Sequence, residues 1–165
     1  MELIILRHGE AGKSLEAASR DAERALTVAG RKEVEEVAGG LARLKVDVGL
    51  IATSPLKRAK ETALIAAEVL KREDLVEEWE ELSPEGETTA LYQRLSRLRR
   101  DSVVLLVGHE PYLSGLIGEL VCGTRQARII LKKAGVAKVE VSTLAPKPSG
   151  DLRWLMTPRQ MKKID

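Results

Sequence analysis

The chain has 165 residues, a length that fits one domain with a substantial buried core, so we expect a single domain over residues 1–165. Its 27 lysines and arginines nearly balance its 25 aspartates and glutamates, and the resulting net charge of +2 favours neither nucleic acid nor a membrane surface as a partner. The single cysteine, Cys122, excludes an internal disulfide framework and a cysteine-based zinc site, and we expect its side chain to be buried.

Short, nearly continuous apolar runs occupy residues 3–6, 48–52 and 103–107. Runs of this kind are typical of strands that are buried on both faces of a parallel sheet. None approaches the ~20 apolar residues of a membrane-spanning helix. The first run has no basic segment before it, so we interpret it as a first strand and not as a signal peptide, and a cytoplasmic location is the default expectation.

Four segments between and after these runs carry apolar residues at helical spacing. Their first apolar residues are, in chain order, Val34, Leu56, Leu91 and Leu113. Thr27 is predicted to cap the first of these helices. Residues 136–144 and 152–156 predict two late strands joined by a Pro/Gly turn, and the polar tail after Pro158 is expected at the periphery. The alternation predicts an α/β three-layer sandwich, with a mostly parallel central sheet and helices on both faces.

Polar and reactive residues follow each of the three apolar runs. In chain order these endings are Arg7-His8-Gly9-Glu10, Thr53-Ser54-Pro55 with Arg58 one turn into the next helix, and Gly108-His109-Glu110-Pro111. Ligands of open α/β sheets bind outside the carboxyl ends of the strands. Parallel strands would therefore bring one small set of basic residues to a single edge. That set is Arg7, His8, Arg58 and His109, and it contains both histidines of the chain.

Two arginines and two histidines at one edge predict an anion site. Arginine forks match phosphate oxygens in a bidentate way, and helices that begin after Ser54 and Glu110 would add backbone N–H groups and the positive end of a dipole. A neutral histidine that holds one nitrogen as a donor can attack phosphorus with the other nitrogen. Nearby arginines favour that neutral form. Gly9 is predicted to let the backbone approach the phosphate closely.

These residues resemble the signature of the histidine phosphatase (phosphoglycerate mutase-like) superfamily. The matching segments are Arg7-His8-Gly9, Leu26-Thr27 with Gly30, Thr53-Ser54-Pro55 followed by Arg58 and Glu61-Thr62, and Gly108-His109. Within that superfamily the chain is most similar to the SixA-type phosphohistidine phosphatases. That narrower resemblance rests on the short length and on two further segments, Glu81-Leu82-Ser83-Pro84 and Met156-Thr157-Pro158.

The resemblance implies that His8 is the nucleophile and becomes transiently phosphorylated. It implies that Arg7, Arg58 and His109 hold the phosphoryl group, that water then releases phosphate, and that no metal or other cofactor takes part. Larger members of the superfamily use a carboxylic acid from the middle of the chain to protonate an alcohol. Glu81 lies at roughly that place and is the possible acid, with Glu85 as a second candidate.

The predicted pocket is shallow and open, because residues 73–88 are too few for the cap of several helices that small-molecule members carry. An open pocket favours a phosphohistidine presented by another protein, such as a phosphotransfer domain. The chain is therefore predicted to hydrolyse phosphohistidine on a protein substrate through phospho-His8. Two alternatives stay open, a small-molecule phosphomonoesterase of the same superfamily and a non-catalytic module that recognises phosphate.

Other charged and aromatic residues have simpler interpretations. Glu10 and Glu110 match no standard zinc spacing, which disfavours a metal site. Trp79 and Trp154 are predicted to pack in the core or at its edge. The arginines around the end of one helix favour a solvated face over a partner surface. They are Arg94, Arg97, Arg99 and Arg100.

Overall fold

The computed structural model describes residues 1–13 and 18–165. Within these residues six strands form one sheet. The strands are β1 (Glu2–Arg7), β2 (Leu50–Thr53), β3 (Val76–Glu78), β4 (Val103–Gly108), β5 (Val136–Thr143) and β6 (Ser149–Met156). The helices are α1 (Ala18–Ala22), α2 (Val28–Arg43), α3 (Lys57–Leu70), α4 (Thr88–Leu95), α5 (Tyr112–Cys122) and α6 (Pro158–Met161). Short 3₁₀ helices lie at Glu73–Leu75 and Glu80–Leu82.

The sheet has the strand order β3-β2-β4-β1-β5-β6. The first four strands are parallel, and β5 and β6 are antiparallel to their neighbours, which confirms the predicted mostly parallel sheet. The register places Arg7 of β1 opposite Gly108 of β4, and Thr53 of β2 opposite Val107 of β4. The carboxyl ends of these three strands therefore lie side by side, and the polar residues that follow them meet at one edge.

Helices cover both faces of the sheet, as predicted. Helices α2, α3 and α6 share one core with Ile4 and Leu6 of β1, while α4 and α5 share the other core with Leu3 and Ile5. All four of these β1 side chains are fully buried, which explains why the strand is an unbroken apolar run. Burial of each such side chain contributes roughly 1.5–3 kcal/mol relative to leaving it exposed.

The connection from β3 to β4 is short, as predicted. It contains one short 3₁₀ helix and α4, an α-helix of 8 residues, so no cap of several helices is inserted there. Among residues 1–13 and 18–165, no helix is both long and apolar enough to cross a membrane.

The acidic segment over residues 73–87 contains a strand that its apolar pattern does not predict. Strand β3 has 3 residues and pairs in parallel with β2 at the edge of the sheet. A strand this short has no readable period, because Val76 is its single apolar residue and is itself only partly buried.

One prediction about the second half of the chain is wrong, and another holds only in part. Cys122 is the last residue of α5 and is exposed instead of buried, because it lies where the helix leaves the core. The tail after Pro158 is mostly exposed, as predicted, but Met161 of α6 is buried. A side chain at Gly40 of α2 would lie 2.7 Å from the Met161 carbonyl oxygen, so α6 packs directly on the α2 backbone.

Candidate active site

The two histidines lie next to each other at the carboxyl edge of the sheet. His8 follows β1 and His109 follows β4, and the backbone N–H of His8 donates to the carbonyl oxygen of Gly108 at 3.0 Å. The two ring centroids are 5.1 Å apart, and the ring planes are inclined by 55°. Both residues are buried, with 8% and 2% of their surface exposed. The parallel register therefore brings both imidazoles to one place.

One hydrogen bond determines which nitrogen of His8 is free. Its Nδ1 lies 2.7 Å from the carbonyl oxygen of Gly9. Because a carbonyl oxygen only accepts, Nδ1 of the neutral ring carries the hydrogen and Nε2 carries the lone pair. Burial is the main reason that the pKa of His8 falls to about 4; the bond to Gly9 opposes this shift, and the nearby arginine charges add to it. The ring is therefore neutral at pH 7 and nucleophilic at Nε2.

His109 has one engaged and one unengaged ring nitrogen. Its Nε2 lies 2.7 Å from Ser54 Oγ, and its Nδ1 is buried without a hydrogen-bond partner among the described residues. The pKa of His109 is lowered to about 3, mainly by burial and in smaller part by the neighbouring His8 and Arg58, while the charge of Asp21 opposes the shift. When the Ser54 hydroxyl donates to Nε2, Nδ1 carries the hydrogen and can donate it to an oxygen of a bound anion.

Acid is expected to destabilise the fold through these two histidines. In the unfolded chain they take up protons below their ordinary pKa of 6.5, whereas in the fold they resist protonation down to about pH 4 and about pH 3. The stabilisation is therefore present above pH 6.5 and is lost as the pH falls, by roughly 2 kcal/mol for each histidine between pH 7 and pH 5. Urea unfolding at pH 7, 6 and 5 measures this slope. A His8→Gln, His109→Gln double variant with the same slope would contradict the assignment.

The guanidinium groups of buried Arg58 and half-buried Arg7 lie beside the histidines. Arg7 Nη1 donates to the carbonyl oxygen of Leu131 at 2.9 Å, and Arg58 Nη1 donates to the carbonyl oxygen of Asp21 at 2.9 Å. The Nε atoms of both arginines are buried, and neither has a hydrogen-bond partner in the described chain. A buried donor without an acceptor costs roughly 1–3 kcal/mol, and an anion bound between the two guanidinium groups would remove that cost.

Asp21 and Arg24 belong to the same cluster, although no sequence motif identifies them. An Asp21 carboxylate oxygen lies 3.3 Å from Arg58 Nη2, and the other oxygen lies 2.8 Å from Arg24 Nε. The charge of Arg24 contributes to the lowered pKa of both His8 and His109, so it faces the same space. An aspartate followed three residues later by an arginine is common on solvated surfaces. This spacing alone therefore does not identify Asp21 and Arg24 as site residues.

Gly9 is held by hydrogen bonds within the protein, and its contact with phosphate stays a prediction. Its N–H donates to Thr62 Oγ1 at 3.1 Å, and its carbonyl oxygen accepts from His8 Nδ1. Thr62 in turn donates to the carbonyl oxygen of Arg58 at 2.7 Å. A side chain at Gly9 would lie 2.7 Å from Val34 Cγ2, so the missing side chain allows this segment to pack closely on α2. The Gly9 carbonyl therefore orients the His8 ring, and the Gly9 N–H links this segment to α3 through Thr62.

A Gly9→Ala substitution is expected to destabilise the fold by about 1–3 kcal/mol, because the new methyl group overlaps Val34 and presses on the Gly30 carbonyl. Gly39→Ala on α2 is the matched control. Its methyl group meets only the flexible end of Arg43, and alanine in a helix interior is expected to raise stability by up to about 1 kcal/mol. Urea unfolding of both variants measures the difference, and equal stability would exclude the packing role of Gly9.

The four carboxylates considered from the sequence bind other partners or solvent. Both Glu81 oxygens accept from Arg94 Nη1, at 3.0 and 3.2 Å, so Glu81 has a structural partner and its role as an acid stays a prediction. Glu85 is exposed. One oxygen each of Glu10 and Glu110 accepts from protein, from the Thr27 hydroxyl and from the Ser114 N–H at the start of α5. That start is therefore partly occupied and less free for an anion than predicted.

The two tryptophans pack in or against the core, as predicted. Of the four arginines predicted to face solvent, Arg94 does so only in part. Trp79 is 1% exposed and lies in the core, and Trp154 packs partly buried against the other core. The Arg94 guanidinium carbon lies 4.2 Å from the centre of the Trp79 ring, so Arg94 stacks on the core instead of facing only solvent.

Comparison with known proteins identifies the family. Residues 3–103 match the sequence model of the histidine phosphatase superfamily (branch 1). The chain is also 31% identical to phosphohistidine phosphatase SixA of Escherichia coli (strain K12) over 164 residues, which are 98% of this chain and 97% of that protein. The chain belongs to the histidine phosphatase superfamily. The superfamily that the sequence motifs resemble is therefore confirmed.

Solved structures of this superfamily share the fold. A structure of the protein histidine phosphatase SixA complexed with tungstate matches with a TM-score of 0.85 at 29% identity, over 98% of this chain and 100% of the other. The α-ribazole phosphatase of Shigella flexneri matches with a TM-score of 0.73 at 19% identity, over 96% and 97% of the two chains. At 19% identity, the match to the α-ribazole phosphatase shows a shared fold and does not indicate a shared substrate.

Proposed function

We propose that this histidine phosphatase hydrolyses phosphohistidine on a protein substrate through a phosphoenzyme at His8. One observation carries the proposal. The neutral ring of His8 is held by Gly9 with Nε2 free, in a cluster where Arg7, Arg58 and His109 each keep a buried nitrogen without a partner among the described residues. A nucleophile beside three unused donors is the arrangement that phosphoryl transfer requires.

In the first step Nε2 of His8 attacks phosphorus, so a P–Nε2 bond forms as the P–N bond of the substrate histidine breaks. The electron pair of that bond leaves with the substrate imidazole, which departs as a neutral ring because its other nitrogen carries a proton. The His8 ring gains positive charge, which strengthens the hydrogen bond from Nδ1–H to the Gly9 carbonyl oxygen. Donors on Arg7, Arg58 and His109 face the charge that spreads over the phosphoryl oxygens.

In the second step a water molecule attacks the phosphoenzyme, the P–Nε2 bond breaks, and inorganic phosphate leaves with the water oxygen. The electron pair returns to Nε2, so His8 is again neutral. The imidazole of a phosphohistidine leaves more readily than an alkoxide, and a chemistry that needs no strong acid fits a site where Glu81 is paired with Arg94. The uncapped edge supports a phosphohistidine carried by another protein, such as a phosphotransfer domain. We propose residues 1–165 as its one catalytic domain, located in the cytoplasm.

A substrate comparison tests this proposal. Phosphate release is measured from a histidine-phosphorylated phosphotransfer domain, from phosphoserine and from p-nitrophenyl phosphate, and the quenched enzyme is analysed for acid-labile phosphate on His8 by mass spectrometry. We expect the highest kcat/KM for the phosphohistidine protein and phosphate on His8. Higher kcat/KM on the esters would favour a phosphomonoesterase. Binding without phosphate release or phosphoenzyme would indicate a recognition module.

A further inference from the structure

The segment over residues 130–133, which we call the rim segment, is attached directly to the proposed catalytic residues. The carbonyl oxygen of Leu131 accepts from Arg7 Nη1 at 2.9 Å. Just after the segment, the N–H of Ala134 donates to the carbonyl oxygen of His8 at 3.1 Å, and Ala134 has a φ of 51°, a left-handed conformation that alanine rarely adopts. The position of the rim segment relative to His8 is therefore fixed by two hydrogen bonds.

The rim segment turns one apolar and two basic side chains outward. Ile130 is 76% exposed although the adjacent Leu131 is 2% exposed, and both Lys132 and Lys133 are exposed. These residues border a depression of about 410 Å³ that also reaches Arg7. A single exposed isoleucine is ordinary on a protein surface. Ile130, however, lines the same depression as Arg7, whose guanidinium group we assign to the phosphoryl group. An exposed apolar side chain at this place could contact a protein whose phosphohistidine occupies the site.

The charge of this surface is mostly positive. Lys132 and Lys133 form no ion pair within residues 1–13 and 18–165. Glu33 is the acidic residue that lines the depression, and it is half-buried. Burial raises the pKa of Glu33, whereas the charge of Lys133 acts to lower it. One carboxylate and three cationic side chains line the depression, so its lining is net positive, although the charges of Glu10 and Glu36 also reach Glu33.

We propose that the rim segment is the docking surface for the phosphohistidine-bearing protein. Ile130 packs on an apolar patch of that protein, and Lys132 and Lys133 face acidic side chains around its phosphorylated histidine. This inference rests on the proposed function. A small phosphate compound would occupy the arginine and histidine cluster without covering the outward side chains of the rim. Charges at the edge of an interface mainly raise the association rate, so the effect should appear in kcat/KM and should weaken with salt.

The test compares two substrates in two rim variants. The variants are Lys132→Glu with Lys133→Glu, and Ile130→Gln; the substrates are a histidine-phosphorylated phosphotransfer domain with an acidic surface, and phosphoramidate. We expect the double charge reversal to lower kcat/KM on the protein about 10-fold and to remove most of its salt dependence. We expect Ile130→Gln to lower it about 5-fold. Turnover of phosphoramidate should stay within about twofold, because no proposed catalytic side chain changes.

Two matched controls lie elsewhere on the chain. Lys147→Glu reverses a charge in the turn between β5 and β6, at the sheet edge opposite His8, since β5 runs antiparallel to β1. Leu64→Gln replaces another large exposed apolar residue, 53% exposed on α3. Both controls should keep kcat/KM on both substrates, and thermal unfolding of all variants checks that they are folded.

The outcomes separate this inference from the proposed function. If the wild-type enzyme dephosphorylates the protein and the rim variants lose no more than the controls, the docking surface is excluded and the function stands. If the rim variants lose equally on both substrates, the segment acts by positioning Arg7 and His8, which also excludes docking. If the wild-type enzyme releases no phosphate from the protein, both proposals are overturned.

Discussion

Replacing His8 with alanine is expected to lower phosphate release from a phosphohistidine protein by roughly 10⁴-fold, because loss of a covalent nucleophile removes the reaction path and leaves only binding and charge stabilisation. The structure orients the free Nε2 of the neutral ring through Gly9 and lowers the pKa of that ring. Single-turnover assays with ³²P-labelled substrate measure the loss, and the phosphoenzyme band should disappear with it.

A second variant guards against a trivial loss of structure. Alanine leaves the carbonyl oxygen of Gly9 without its partner, whereas His8→Asn offers an amide N–H to that oxygen and still has no nucleophilic nitrogen. We expect the asparagine variant to unfold near the wild-type temperature and to be as inactive as the alanine variant. Labelled phosphate on the asparagine variant, or turnover close to wild type, would place the nucleophile elsewhere.

The parts of the fold and the site that could be read from the sequence are those that a local pattern determines. The unbroken apolar run of β1 follows from burial on both faces, and it predicts the parallel sheet that the structure contains. Once β1, β2 and β4 are parallel, their carboxyl ends share one edge. The short distance between His8 and His109 follows from that topology alone, without knowledge of any side-chain contact.

The rest depends on contacts between distant segments, which leave no local pattern. Asp21 reaches Arg58 across 37 positions of the chain, and neither neighbourhood signals the pair. Gly9 was predicted to let the backbone approach phosphate, but the sequence does not show that the missing side chain also makes room for Val34 of α2. Glu81 likewise has the expected position in the chain, while its partner Arg94 becomes evident only when α4 packs beside it.

Replacing Arg58 with alanine is expected to lower kcat/KM by about 10³-fold, the lower end of the range for an arginine that stabilises a transferring phosphoryl group. Arg58 is 4% exposed, and its unpartnered Nε lies in the cluster with the two histidines. Its positive charge also contributes to the low pKa of His8. The variant should therefore show a second effect, a rise in the pKa of His8 and a matching shift of the acid limb of kcat/KM towards higher pH.

The residues around Arg58 indicate that the Arg58→Ala variant should stay folded, so that a loss of rate can be assigned to the missing guanidinium group. Asp21 keeps its contact with Arg24 at 2.8 Å when Arg58 is removed, so no isolated buried charge is created and the fold should persist. Arg58→Lys keeps the charge but not the planar fork, and should restore the pH profile better than the rate. Arg72→Ala is the control, because Arg72 follows the other end of α3 and pairs with exposed Asp47, a contact worth less than about 1 kcal/mol. An Arg58→Ala enzyme with unchanged rate and pH profile would mean that this guanidinium holds α1 in place and never meets the phosphoryl group.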